Sequence, residues 1–91
     1  MQFEWDSVKN AENARKHGVS FDLAEMACSD PHRQIRKDVV HSTASEERFF
    51  CYGVVHGKIM TVRYILRKGK IRIFGAGFWR EGRKLYYEKK V

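Results

Sequence analysis

Proline is almost missing from this 91-residue chain: Pro31 is the only one. With 43% hydrophobic residues, enough for one packed core, this argues against a disordered chain. There is no apolar run approaching the roughly eighteen residues a membrane-spanning helix needs. Cysteine is scarce too. Cys28 and Cys51 lie far apart in the sequence and outside any Cys-x-x-Cys pattern, so they read as free thiols used as small apolar residues in a reducing compartment. The first residues, Met1-Gln2-Phe3-Glu4-Trp5-Asp6, are acidic and aromatic, unlike a signal peptide, and the expected location is the cytoplasm. No carboxylate pair or histidine cluster has ligand spacing, so neither a metal nor a cofactor is expected. Without a linker, repeat or low-complexity segment, residues 1–91 form a single domain.

Acidic residues thin out after position 46. Residues 47–91 carry twelve Lys/Arg against three Asp/Glu, whereas residues 1–46 carry six against eight, so the net charge of +7 belongs to the second half. There the cations alternate with rings, as in Arg72-Ile73-Phe74 and Phe78-Trp79-Arg80, followed by Arg83-Lys84-Leu85-Tyr86-Tyr87. A basic, ring-rich surface fits a polyanion whose bases can stack, meaning single-stranded RNA or DNA. The bland counterpart is a solvated basic face.

The pattern predicts an α+β domain. Phe3-Glu4-Trp5 reads as a short strand or an extended lead-in. Asp6 is a suitable N-cap for a first helix with Val8, Ala11 and Ala14 on one face, stopped by Gly18 after the basic turn Arg15-Lys16-His17. Ser20 caps a second helix striped by Phe21, Ala24, Ala27 and Cys28, and Asp30-Pro31 ends it. Strands are predicted over 34–40, 48–55, 58–67 and 70–74, with hairpin turns at His56-Gly57 and Lys68-Gly69, and a basic helix over 79–90. Two N-terminal helices thus pack on an antiparallel sheet, with a C-terminal helix to close it.

Two-residue turns fix the register. Val55 then faces Lys58, Phe50 faces Arg63 and Ile65 faces Arg72. Alternation puts Phe49, Cys51, Met60, Val62, Tyr64, Leu66, Ile71 and Ile73 on the core face. The opposite face holds Arg48, Phe50, Tyr52, Thr61, Arg63, Ile65, Arg72 and Phe74, where cations suit phosphates and rings suit bases. If that face serves only structure, the closing helix covers it and each guanidinium is paired to a carboxylate.

These residues resemble a known family. Phe3-Glu4-Trp5-Asp6 with Lys9, then Arg15-Lys16-His17-Gly18-Val19-Ser20-Phe21 and Ala24, resemble the N-terminus of BrnT-type toxins. Asp38, His41-Ser42, Glu46-Glu47-Arg48-Phe49, Gly53 and Thr61-Val62-Arg63-Tyr64 match in order, as does Ile71-Arg72-Ile73 before a basic, Tyr-containing helix. The resemblance implies a RelE-like fold and a ribonuclease toxin of a type II toxin–antitoxin pair. It also implies a small antitoxin partner with a DNA-binding part, through which the complex would meet operator DNA. One departure stands out: many members carry Ser-Ala-Arg-x-Ala where this chain has Gly75-Ala76-Gly77-Phe78-Trp79, so the motif's arginine is missing at Gly77 and Arg80 is the nearest replacement.

RNA cleavage without a metal needs a base for the 2′-hydroxyl, a cation for the phosphorane and an acid for the leaving 5′-oxygen. Arg63 and Arg80 are the candidates for the phosphate, since guanidinium binds it bidentately and stays charged. His17 is the first candidate for proton transfer, because histidine is the side-chain type that titrates near neutrality, with His41 and Glu47 in reserve. A helix-capping role accounts for His17 equally well. Arg48, Arg72, Arg83 and Lys84 would hold the RNA backbone, and Tyr52 and Trp79 would offer stacking surfaces, although a core anchor for the last helix accounts for Trp79 as well. The alternatives to a nuclease are a non-catalytic nucleic-acid-binding module and a module whose basic groove only receives an antitoxin.

Overall fold

The structure is a computed structural model that describes residues 2–88. In chain order it comprises β1 (Phe3–Trp5), α1 (Ser7–His17), α2 (Phe21–Cys28), β2 (Gln34–Lys37), β3 (Arg48–Val55), β4 (Lys58–Arg67), β5 (Lys70–Gly77) and α3 (Arg80–Tyr87). It is an α+β fold. The five strands form one sheet in the order β1-β5-β4-β3-β2. The sheet is mixed rather than purely antiparallel, because β1 runs parallel to β5 and pairs Phe3 with Ile71 and Trp5 with Ile73. A parallel partner requires a long crossover, which α1 through β4 supplies and which no local turn signal announces.

The expected caps form at α1. The Asp6 carboxylate accepts from the backbone N–H groups of Val8 and Lys9 at 2.8 and 3.2 Å, and Gly18 closes the helix at φ 69°. Ser20 stands at the N-cap of α2 but makes no side-chain cap; its hydroxyl turns to the Asp22 carboxylate instead. Both hairpins take the predicted turns. His56 and Lys68 adopt φ of 50° and 52°, with Gly57 and Gly69 at 80° and 75°, a positive pair that matches the twist of the flanking strands.

The predicted register holds throughout: Val55 pairs with Lys58, Phe50 with Arg63 and Ile65 with Arg72. Beyond that point β5 continues to Gly77, past the expected end at 74, by way of a bulge. Arg63 pairs with Gly75 and Tyr64 with Ile73, which leaves Phe74 as the extra residue. The extra residue shifts the alternation, so Ala76 joins Ile71 and Ile73 in the core.

Helices α1 and α2 cover the core face. Phe21, Ala24 and Ala27 pack on Cys51, Met60, Val62, Tyr64 and Ile73, all buried. Leu66, expected among them, is 46% exposed because it lies near the turn end of β4, where β3 opposes it with no residue. Asn13 stitches α1 to this layer. Its Nδ2 donates to the carbonyls of Val19 and Ala76, each at 2.9 Å, and its Oδ1 accepts from the Ala76 N–H at 3.3 Å. Helix α3 crosses the opposite face over β3 and β4. Gly82 permits that approach, for a Cβ there would stand 2.0 Å from Thr61 Oγ1. The Tyr86 hydroxyl fastens the helix by donating to Asp30 at 2.6 Å. Positions 89 and 90 of the expected helix lie outside the described residues. No helix among the described residues is long and apolar enough to cross a membrane.

Candidate active site

The face opposite the core carries a cavity of about 310 Å³, bounded by the 38–41 loop, strands β3 and β4 and the first turn of α3. Each wall follows from the local sequence. Strand β2 ends at Lys37, and Asp38 folds the chain into a tight turn. One oxygen of its carboxylate accepts from the His41 backbone N–H at 3.2 Å, and the other meets His41 Nδ1 at 2.9 Å. Ser42 locks this turn to β3, donating to the Asp38 carbonyl at 2.6 Å and accepting from the Arg48 N–H at 2.9 Å. The Asp38 side chain is 8% exposed and that of His41 59%. Burial pushes the Asp38 carboxyl upward, but hydrogen bonds from the imidazole and backbone of His41, with the charges of His41 and Arg63, hold it below its ordinary value. The carboxylate thus stays ionised and orients the imidazole, leaving Nε2 for other work.

Arg63 enters from β4. Its guanidinium lies 4.9 Å from the centre of the Phe74 ring, and Gly75 leaves room for the stem, since a Cβ there would come within 3.3 Å of Arg63 Cδ. The bulge therefore sits beside the site and shapes it. Arg63 has no carboxylate partner among the described residues, unlike its neighbours on the same face. Arg48 pairs with Glu46 at 3.1 Å and Arg72 with Glu4 at 3.4 Å. The purely structural account of this face thus holds for Arg48 and Arg72, but not for Arg63. Arg48 also stacks on Phe74 at 5.1 Å, so two guanidinium groups flank one ring.

Phe50 and Tyr52 form an aromatic wall, their rings 6.1 Å apart and 9° from parallel. Tyr52 is 5% exposed, its hydroxyl makes no hydrogen bond among the described residues, and burial raises its pKa. Thr61 lies on the floor, and its buried hydroxyl likewise has no partner among the described residues. Trp79, Glu81 and Gly82 close the far side.

Of the residues singled out from sequence, Arg63, Tyr52, His41 and Trp79 line this cavity. Arg80 and Arg83 line an adjoining groove with Lys58, Phe78 and Tyr87, and Lys84 stands with them farther along α3. Arg48 and Arg72 border another depression beside Phe74. His17 does not line the cavity: it packs edge-on against Trp79, centroids 5.2 Å apart. Trp79 borders both the cavity and the groove, and its indole lies over Gly77, where a Cβ would come within 2.6 Å of the ring. Glycine at position 77 is thereby accounted for by the tryptophan two residues later. Glu81 was missed from sequence, because a single acid in a basic helix gives no signal there. No group of three or more His, Cys, Asp or Glu side chains that could hold a metal ion occurs among the described residues.

The sequence model for the ribonuclease toxin BrnT of type II toxin–antitoxin systems matches residues 5–81. The chain belongs to the BrnT family. A comparison with curated proteins returns no match. The cavity brings together an imidazole held by a carboxylate, a guanidinium with no carboxylate partner among the described residues, and aromatic surface.

Proposed function

We propose that this chain is an endoribonuclease toxin that cleaves RNA without a metal through the Asp38–His41–Arg63 cavity, and that a cognate antitoxin neutralises it. The observation that carries the reading is the meeting, in one cavity, of a carboxylate-oriented histidine and an arginine that has no carboxylate partner among the described residues. In the reaction, His41 takes the proton of the 2′-hydroxyl as that oxygen attacks the adjacent phosphorus. Arg63 stabilises the charge that develops on the non-bridging oxygens. The P–O5′ bond breaks, leaving a 2′,3′-cyclic phosphate, and the leaving 5′-oxygen takes its proton from the imidazolium or from solvent. Arginine 63 suits this because its guanidinium stays protonated throughout.

The neighbouring groove supplies the rest. Arg80, Arg83 and Lys58 would track the phosphates on either side of the cut, while Phe78 and Trp79, 41% and 39% exposed, offer surface for stacking. Arg80 therefore serves as a backbone contact in this account, and His17 as a support for Trp79. The same cations suit an acidic segment of the antitoxin, which would block the RNA path by occupying it. The antitoxin's DNA-binding part would carry the complex to operator DNA, and the site of action is the cytoplasm.

Incubating antitoxin-free protein with a single-stranded RNA in EDTA tests the reading. Cleavage to 2′,3′-cyclic ends is expected, with Arg63→Ala and His41→Ala each slower by roughly 10²–10³-fold, as for loss of one transition-state donor or proton-transfer group. RNA that is bound but stays intact would favour a non-catalytic binding module.

A further inference from the structure

The cavity has a second half that proton transfer and phosphate binding leave unused. Beside Arg63 and His41 it is lined by Phe50, Tyr52 and Trp79, together with two hydroxyls and, on α3, a carboxylate. The hydroxyls belong to Tyr52 and Thr61, both 5% exposed, and neither has a hydrogen-bond partner among the described residues. The Thr61 hydroxyl is the fully buried one, beneath Gly82 of α3, whereas that of Tyr52, on the cavity lining, is left free for a ligand. The carboxylate is Glu81, in the first turn of α3. It forms no ion pair among the described residues, although Arg80, Arg83 and Lys84 share its helix. A first-turn acid suits the helix dipole, but a carboxylate facing an RNA path is repelled by phosphate and suits a donor-bearing group instead.

We infer that this half of the cavity is a base-reading slot for guanine, with the Glu81 carboxylate as the group that reads it. The rings of Phe50, Tyr52 and Trp79 supply the stacking surface for a base turned out of the strand. Guanine alone among the four bases carries two adjacent donors, N1–H and the N2 amino group, on its Watson–Crick edge. A carboxylate accepts from both. Adenine and cytosine each present one amino donor beside a ring-nitrogen acceptor, which repels the second carboxylate oxygen. Uracil presents one N–H between two carbonyls. The Tyr52 hydroxyl, whose pKa burial raises, is a donor suited to the guanine O6. A volume of about 310 Å³ is in the size range of small-ligand pockets.

This inference rests on the ribonuclease reading of the same cavity, and the test separates the two. Binding of the four nucleoside 3′-monophosphates is measured by calorimetry, beside cleavage of four oligonucleotides that differ only in the base 5′ to the scissile phosphate. The expected result is tighter binding of guanosine 3′-monophosphate and faster cleavage after guanine, each by roughly 5- to 150-fold, the discrimination that one bidentate contact gives. Glu81→Gln, an exposed substitution that should fold normally, brings guanine down to the level of the other bases. Guanine preference in binding without any cleavage would retain the slot and remove the nuclease. Cleavage with no base preference in either assay, or a guanine preference that survives Glu81→Gln, would overturn the slot while leaving the nuclease reading in place.

Discussion

Replacing Gly82 by alanine sets two ordinary effects against each other, and the structure decides the sign. Alanine in a helix interior is favoured over glycine by about 1 kcal/mol. On an exposed helix that gain would appear as added stability. At position 82, however, the new Cβ would lie 2.0 Å from Thr61 Oγ1 and 3.0 Å from Tyr52 Cδ1, and both neighbours belong to the sheet. Overpacking of this kind costs about 1–3 kcal/mol, and a clash with a short, branched side chain belongs near the upper end. The net expectation is a loss of about 1–2 kcal/mol, which for a domain of this length lowers Tm by about 5–15 °C. If α3 lifts away instead, its backbone amides exchange faster while the core melts unchanged. The background Thr61→Ala removes the clashing oxygen together with its unpaired hydroxyl. In that background Gly82→Ala should become neutral or stabilising, a coupling that a double-mutant cycle reads directly. A rise in Tm for Gly82→Ala in the wild-type background would refute the close approach of α3 to β4.

Two further outcomes follow from groups outside the cavity. Asn13→Ala removes three hydrogen bonds and leaves the Ala76 N–H and carbonyl without that partner in a buried setting, so a loss of about 1–3 kcal/mol is expected in urea unfolding. Tyr86 has its pKa raised to about 12 from 10.0, by its hydrogen bond to Asp30 and by burial. The folded state thus holds this proton more tightly than the unfolded chain, so the contribution is full below pH 10 and is lost as pH rises toward 12. Tyr86→Phe should flatten the alkaline fall in Tm across that window, and an unchanged alkaline limb would count against the Tyr86–Asp30 bond.

Much of the fold was legible because its signals are local. Asp6 and Gly18 bound α1, and the His-Gly and Lys-Gly turns fix both hairpin registers, which in turn place Phe50 opposite Arg63. The parallel pairing of β1 with β5 was not legible, because it joins residues nearly seventy positions apart with no turn between them. The extension of β5 through Gly77 was hidden by its glycines, which are poor strand formers but are needed here beside Arg63 and Trp79. In the cavity, Arg63 and Tyr52 were visible from strand alternation alone. His41 ranked below His17 in sequence because nothing there showed that the Asp38 carboxylate would turn back on it. Only the folded loop brings the two within 2.9 Å. Cys28 on α2 and the buried Cys51 on β3 are free thiols that influence each other, which lowers the Cys28 pKa and, with burial, raises that of Cys51.

The most direct test of the central claim is the rate of RNA cleavage in EDTA by the antitoxin-free wild type, Arg63→Ala and His41→Ala, with RNA binding measured in parallel. The account predicts cleavage by the wild type, a loss of roughly 10²–10³-fold in each variant, and binding that survives through the α3 cations. Wild-type rates in both variants would contradict it, for the chemistry would then lie outside the Asp38–His41–Arg63 cavity.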